Sequence, residues 1–287
     1  MNIHGQSKLP TTKQLQIEDF LRYNKIDILH MQECDICEET FADCAYISSS
    51  YNLIINNSIS KYGTASLIRS DLEYRNINLD TAGRIITFDI GNVTFGNIYA
   101  QSGSDGGSRS NRESFFAEVL PNLLINSQLN GCLGGDLNMI IDKCDATKNP
   151  EKKMSPNFKR FAKSFNWVDS FRVLHPRDLQ FSRYYSGVMG EGASRIDRCY
   201  HYGDIGVIKA SYHPLAFSDH HAHIVSIKLP DPFTRLACPR SPPSFRIKAE
   251  VVQESFTKIL LNQWTRNTSM VGTSGKARSE KTGPKSC

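Results

Sequence analysis

No run of about 18 apolar residues occurs in the 287-residue chain, which excludes a membrane-spanning helix on sequence grounds. The amino-terminal stretch MNIHGQSKLP also lacks the charged-then-apolar order of a secretory signal, so the chain reads as soluble and intracellular. The eight cysteines, at 34, 37, 44, 132, 144, 199, 238 and 287, have no regular spacing, and without an export signal this argues against a disulfide framework. Cys34 and Cys37 form one C-x-x-C, but no second such pair or H-x-x-x-H follows at a zinc-binding distance, so they read as a loop pair. A domain-wide basic field is missing too. The net charge of +5 comes from the carboxy-terminal part, where ten Lys and Arg face four Asp and Glu from Asp231 onward. The first 230 residues hold 24 basic and 25 acidic groups, so any attraction to nucleic acid must come from local patches.

At 39% hydrophobic and 22% charged, the chain has the composition of a folded globular protein. Thr11 and Thr12 are candidate N-caps for a helix over residues 13–23, with Leu15, Phe20 and Leu21 as its apolar positions. The run IDILHMQE predicts a buried strand that delivers a glutamate at its end. YNLIINN, TASLIRS, RIITFDI and VTFGNIYA predict further strands, followed by a Gly/Ser-rich loop over 102–110 and a helix over 111–125. GCLGGDLNMI repeats the apolar run that opens into polar groups. Residues 157–165 read as a helix, and FSRYYS, SRIDRCYH, IGVIKAS and HAHIVSIKL as strands. With many strands, few intervening helices and no internal repeat, the pattern favours two packed sheets with outer helices over a doubly wound sheet. After about residue 230 the sequence turns Pro-rich and then polar. A domain over 1–229 followed by a linker and partly helical or disordered tail over 230–287 is therefore expected.

Acidic, amide and imidazole groups recur at or just beyond strand ends: Asn2 with His4, Gln32-Glu33, Asp136-Leu137-Asn138, Asp197, and Ser218-Asp219-His220. Taken singly, each is weak, since a Glu at a strand end is more often a solvated cap. Taken together and in order, they supply what phosphodiester hydrolysis needs: oxygen ligands for a hard cation, a group that activates water, and donors for charge on the phosphoryl oxygens.

The series N-I-H-G, I-L-H-M-Q-E, G-N-I-Y-A, G-G-D-L-N, S-R-I-D-R and F-S-D-H-H resembles the motif set of the endonuclease/exonuclease/phosphatase superfamily over residues 1 to about 229. Within it, the chain resembles most the endonuclease domain of LINE-type (non-LTR) retrotransposon polyproteins, relatives of apurinic/apyrimidinic endonucleases and exonuclease III. V-D-S-F-R-V-L-H-P also resembles the retroelement members. The resemblance implies a four-layered α/β sandwich with two mostly antiparallel sheets, and a Mg²⁺-dependent enzyme, with Mn²⁺ an alternative, that nicks one strand of double-stranded DNA to leave a 3′-hydroxyl. It further implies a monomeric domain fused to a downstream reverse transcriptase and acting in the nucleus.

Residue by residue, the resemblance makes Glu33 the principal metal ligand and places Asp219 beside the metal. His220 would be the general base, or hold the scissile phosphate, with Asp197 orienting it. Asp136 would assist proton transfer, while Asn138, Asn2 and Tyr99 would position the phosphate; as a residue type alone, Tyr99 reads equally well as a core aromatic. Ser182 would contact phosphate or be a solvent-facing strand serine. His221 and His223 read as structural. Two departures stand out: His4 replaces the expected Asp or Asn, a poorer Mg²⁺ ligand, and the leading strand is truncated, leaving Asn2 near a frayed end. For DNA contact, Arg183, Arg195 and Arg198 near Asp197 rank above the Lys148–Lys163 segment, which reads equally as a solvated helix face. The alternatives are a repair enzyme of the apurinic-endonuclease or exonuclease III type, a phosphatase of inositol phosphates or lipids, and an inactive relic.

Overall fold

The alternation of apolar residues along the strands sorts them into two faces, and both faces are covered. The computed structural model describes residues 1–6, 9–57, 63–186, 190–231 and 235–236, with the side chains of 4–6 outside that description. All of these lie in one compact unit, Met1–Pro239. Apart from residues 230, 231, 235 and 236, the expected linker and tail lie outside the described residues.

The first sheet contains β1 (Asn2–Gln6), β2 (Ile28–Cys34), β3 (Tyr51–Asn56) and β4 (Gly63–Arg69), in the order β1-β2-β4-β3, with β1 parallel to β2 and the other pairs antiparallel. The second is built from β5 (Arg75–Leu79), β6 (Ile85–Ile90), β7 (Val93–Tyr99), β8 (Asn130–Asp136) and β9 (Val168–Asp169). After the short hairpin of β10 (Arg183–Tyr185) and β11 (Gly192–Ser194), β12 (Asp197–Tyr202) completes it in the order β5-β6-β7-β8-β12-β9. Only β7 and β8 run parallel in that sheet. A last antiparallel pair, β13 (Gly206–His213) and β14 (Ala222–Lys228), follows.

The expected four-layered sandwich is the observed fold. On the outside of the first sheet, Leu29, Met31, Ala65 and Leu67 pack against Ile17 and Leu21 of the helix Thr11–Asn24 and Ile47 of the helix Ala45–Ser50. On the outside of the second, Ile98, Leu133 and Tyr200 meet Phe116 and Leu120 from the helical stretch after Asp105, and Phe158 from the helix Pro156–Ser164. Alternate residues turn inward: Ile68, Ile86, Phe88, Phe95 and Cys132 form the core between the sheets. Each large apolar side chain so buried contributes roughly 1.5–3 kcal/mol.

Three details differ from expectation. Pro10, not a threonine, caps the first helix: its fixed extended geometry aims its carbonyl at the amides of Lys13 and Gln14, so Thr11 is already helical. Leu15 is exposed, and Ile17 takes its place on the buried face. The Gly/Ser-rich loop also ends early. Asp105 accepts from the Ser108 amide at 2.9 Å and starts a helix at Gly106, which Arg112 ties back to the Gln101 and Gly103 carbonyls.

A buried amide pins the two sheets together. Asn97 of β7 is 0% exposed, and its Nδ2 donates to the Met31 and Ala65 carbonyls, each at 2.9 Å, across the sandwich. Its Oδ1 accepts from Gln32 Nε2 at 2.7 Å, and Gln32 Oε1 in turn accepts from the Met1 ammonium at 3.1 Å. Replacing Asn97 with Ala strands the Gln32 amide donor and removes the bonds that tie the second sheet to the Met31 and Ala65 carbonyls, and should cost on the order of 3 kcal/mol in urea unfolding. A loss under about 1 kcal/mol would mean that water substitutes for the amide.

Candidate active site

The strands bring acidic and amide side chains to one end of the inter-sheet space. Tyr99, Asp136 and Asp197 end or begin adjacent strands of the second sheet, with Tyr99 opposite Asp136 and Asp136 opposite Asp197 in register. Glu33 reaches the same end by a backbone irregularity. Strict alternation would place it with Leu29 and Met31 under the outer helix. Its φ of 52° is left-handed, the β2–β4 register shifts there, and the side chain accepts from the Tyr99 hydroxyl at 3.1 Å. Asn138 is the second left-handed residue, with φ 47°: its backbone N–H donates to Asp136 Oδ1 at 2.9 Å and its side-chain amide to the Ala100 carbonyl at 2.9 Å. Gly135 precedes Asp136 because any Cβ there would lie 1.9 Å from the Ile98 carbonyl oxygen.

Around Asp136 the groups interlock. Asn2 Nδ2 donates to Asp136 Oδ2 at 3.0 Å, His220 Nδ1 sits 4.0 Å from the same oxygen, and His220 Nδ1 bonds Asp197 Oδ2 at 2.7 Å. His220 Nε2 points toward Asp219 Oδ1, 4.0 Å away, and Arg183 Nε holds Asp219 Oδ2 at 3.0 Å. Ser218 links both ends, donating to the Asn2 carbonyl at 2.8 Å and accepting from the His220 amide at 3.1 Å. Thus Asn2, Glu33, Tyr99, Asp136, Asn138, Asp197, Asp219 and His220 are joined through direct contacts and strand register. The side chain of His4 lies outside the described residues.

Burial sets the protonation states. Desolvation pushes the Asp136 carboxyl up to about 6, with the charge of Asp197 adding to it. Desolvation also disfavours charge on Asp197, but the attraction and hydrogen bond of His220 prevail and hold it below the ordinary value. For His220, desolvation acts downward and is overcome by the charge and hydrogen bond of Asp197, which bring the imidazole up to about 9. Near neutrality the pair is therefore an imidazolium and a carboxylate.

Ligand atoms of Asp136, Asp197 and His220 lie within 4.8 Å of one another, a cluster that can hold a divalent cation. The donor chemistry fits: two of the three ligands are hard carboxylates, and the buried Asp197 Oδ1 has no hydrogen-bond partner. Glu33 adds a carboxylate from the β2 side. Asp219, expected beside the metal and His220, lies 4.0 Å from His220 Nε2 and is ion-paired with Arg183 through its other oxygen.

Three residues expected to bind substrate do not face it. Arg195 is 0% and Arg198 2% exposed, and both guanidiniums are held by Asp145 and Asp169 at 2.6–3.1 Å. They brace the backbone on either side of Asp197 and are corrected here from phosphate contacts to scaffold. Ser182 is also fully buried; its Oγ accepts from the Ile196 and Asp197 amides, both at 2.9 Å, and so positions Asp197 from behind. Arg183 stays partly exposed beside the pocket. His221 packs at a tilt on Tyr184 and His223 stacks on Tyr212. Asp145 gave no signal as sequence, while Asp169, within V-D-S-F-R-V-L-H-P, and Ser218, within Ser218-Asp219-His220, were marked without these roles.

No family model matches the chain, and no curated protein matches it. Solved structures do. An AP endonuclease from Archaeoglobus fulgidus aligns at TM-score 0.64 and 17% identity, covering 78% of this chain and 97% of that one. The 3′-5′ exonuclease NExo from Neisseria meningitidis aligns at 0.65 and 19%, covering 78% and 98%. Truncated TDP2 from Caenorhabditis elegans aligns at 0.54 and 18%, covering 77% and 93%. This chain has their fold.

The ion cage behind Asp197 should show itself in acid. Burial pushes the Asp145 carboxyl up, but Arg198 and Arg195 overcome this and hold it well below the usual carboxylate range. A depressed folded-state pKa gives stability that is complete above the unfolded value near ~3.9 and is lost as pH falls below it. Asp145→Asn should therefore cost about 3–5 kcal/mol at neutral pH, and its deficit against the parent should shrink below about pH 4. Urea midpoints across that range provide the check, and a deficit independent of pH would refute the assignment.

Proposed function

We propose that the protein is a metal-dependent phosphodiesterase acting on DNA, a member of the endonuclease/exonuclease/phosphatase superfamily of the apurinic-endonuclease or exonuclease III kind. The observation that carries it is the buried Asp136–His220–Asp197 unit, flanked by Glu33 and Asn2, in a fold shared with an AP endonuclease and a 3′-5′ exonuclease. Glu33, with the unpartnered Oδ1 of Asp197, would hold Mg²⁺ or Mn²⁺, which would neutralise charge on the phosphoryl oxygens.

The protein groups divide the remaining work. Asp136, with its pKa about 6, is ionised at neutral pH yet basic enough to take a proton from the attacking water. His220, at about 9, keeps its proton and donates from Nε2 to a phosphoryl oxygen, with Asp197 fixing the ring through Nδ1. This reading favours the phosphate-holding role for His220 over that of general base. Asn2 steadies Asp136, and the partly exposed Arg183 offers a cation to the DNA backbone.

A second reading, the retroelement nickase with its 3′-hydroxyl product, is supported by the Val168–Pro176 stretch. That stretch builds β9 and the helix Ser170–Leu174, and its Asp169 caps the helix and joins the arginine cage behind Asp197. Supercoiled plasmid and a duplex with one abasic site, each with Mg²⁺ or Mn²⁺, separate the readings. Selective cleavage of the abasic duplex supports the repair type, and nicking of intact plasmid the retroelement type. A folded protein inert on both would leave the phosphatase and the relic.

The pH profile tests the assignment of roles. The rate should rise through about pH 6 as Asp136 ionises, then fall near about pH 9 as His220 loses its proton. Asp197→Asn should move both limbs downward, because the carboxylate that holds the imidazolium is gone and its charge no longer raises the Asp136 carboxyl. His220→Ala should lower the rate by at least ~10². Glu33→Ala should raise the Mg²⁺ concentration needed and be partly rescued by excess metal. A rate that climbs with a single inflection near pH 9 would make His220 the base instead.

A further inference from the structure

Arg84, Tyr99, Asp136 and Asp197 stand in one row across the end of the second sheet. Ile85 of β6 pairs with Ile98 of β7, and the Tyr99 amide donates to the Arg84 carbonyl at 2.8 Å, so Arg84 is the next residue opposite Tyr99. Tyr99 pairs in turn with Asp136, and Asp136 with Asp197. Cross-strand neighbours share one face of a sheet, so the side chains of the row point the same way. The Arg84 guanidinium accordingly lies over the Tyr99 ring, 5.4 Å from its centre, and the hydroxyl of that ring reaches Glu33. At the other end His220 extends the row through Asp197, and its backbone bridges to Arg183. One cation thus stands on each side of the acidic pocket.

The two cations differ in what already holds them. Arg183 is ion-paired with Asp219. Among the described residues, every other arginine that is buried or half-buried has a carboxylate or carbonyl partner, except Arg84. Its Nη1 is buried with no hydrogen-bond partner. The nearest carboxylate in the chain, Asp80, is committed elsewhere: its Oδ1 accepts from the backbone amides of Arg84 and Ile85, both at 2.7 Å, and from Asn56 Nδ2 at 2.9 Å. Those bonds fix the turn that presents Arg84 and leave its charge unmatched. A guanidinium drawn partly out of water without a counter-charge is destabilising, and the fold offsets this only with the face of Tyr99.

We propose that Arg84 binds a backbone phosphate other than the one cleaved, which makes the substrate a strand with phosphates in series and not an isolated phosphoester. Neighbouring strands of a sheet lie ~4.8 Å apart, so the backbone of Arg84 is ~10 Å from that of Asp136, two strands away. Phosphates of one DNA strand recur every ~3.4 Å along the helix axis. The partner of Arg84 therefore lies within about three nucleotides of the scissile bond, on the Tyr99 side. A guanidinium suits this task, because its planar donors match phosphate oxygens and the contact releases a counterion without reading a base. The inference rests on the proposed action on DNA and adds to it a second phosphate that the substrate must carry.

Arg84→Gln in the full chain tests this through binding and cleavage separately. For binding, a fluorescent DNA duplex is titrated in EDTA at several salt concentrations, so that no turnover is needed. The slope of log Kd against log salt should become shallower by about one in Arg84→Gln and keep the parent value in Arg84→Lys. For cleavage, a neutral methylphosphonate replaces each phosphate in turn within about three positions of the bond that is cut. In the parent one position should raise KM roughly 10-fold, and in Arg84→Gln the same replacement should have no further effect. Tm should fall by no more than about 4 °C, the share of the Tyr99 contact. Equal salt slopes in the parent and Arg84→Gln, or a methylphosphonate effect that survives the substitution, would overturn the proposal. So would a larger loss of Tm, which would make Arg84 a structural residue. Binding that Arg84→Gln weakens in this way, without cleavage by the parent, would support the phosphate contact and sink the catalytic reading. A parent that binds no DNA would sink both.

Discussion

Asp136, Asp197 and His220 are each 1–3% exposed, so their charges have little water to share them. A carboxylate taken out of water costs several kcal/mol unless another group balances it, and two side by side cannot both stay ionised cheaply. The 2.7 Å contact between His220 Nδ1 and Asp197 Oδ2 resolves this by making one carboxylate and the imidazole a pair. Asp136 is left as the carboxyl with the raised pKa. Much of the surrounding structure keeps that pair in register. Ser182 holds the backbone at Asp197, the Asp145–Asp169 cage fixes Arg195 and Arg198 on either side of it, and Ser218 anchors the turn that presents His220. The arginines do for the strand what a substrate-binding role could not, because a guanidinium with 0% exposure is held in place by its own ion pairs.

Two of the six non-glycine residues with left-handed backbone among the described residues lie where the site needs side chains out of their regular directions. Left-handed backbone in a non-glycine residue costs roughly 1–2 kcal/mol, and Glu33 and Asn138 both adopt it beside the pocket. For Glu33 the result is a carboxylate brought round to Tyr99 from a position that alternation assigns to the helix-covered face. For Asn138 the side-chain bond to the Ala100 carbonyl and the amide bond to Asp136 offset part of the cost. The three apolar layers are large enough to carry both distortions.

The strands that were legible in the sequence are those whose apolar residues are buried. IDILHMQE, TASLIRS, RIITFDI and VTFGNIYA became β2, β4, β6 and β7, whereas RNINL, whose only apolar residues Ile77 and Leu79 are exposed, forms β5 unmarked. β9 and β11, of two and three residues, are too short for periodicity to show. For the site, order along the chain was enough to mark Glu33, Asp136, Asp197 and His220, since strand ends carrying polar groups after apolar runs are visible as text. Burial of the arginines was not visible. Their partner Asp145 lies 50 positions before Arg195, and a residue type usually found on the surface gives no sign of such pairing. Ser182 was misread for the same reason: its partners are backbone amides 14 and 15 positions away, which no side-chain pattern encodes.

The short first strand connects these themes. Asn2 donates its side-chain amide to Asp136, and its carbonyl receives the Ser218 hydroxyl that in turn holds the His220 amide. One residue of β1 thus touches both halves of the Asp136–His220 unit. Yet β1 spans only Asn2–Gln6 and, among the described residues, pairs with β2 alone. Local opening of so short an edge needs far less free energy than global unfolding, and it would part Asn2 from Asp136 while the three cores remain intact. Only the closed fraction has Asn2 bonded to Asp136, so any step that needs that contact is scaled by how much of the time β1 is closed. Whatever secures β1 therefore acts on the site through the population of its assembled form, without adding a single group to the chemistry.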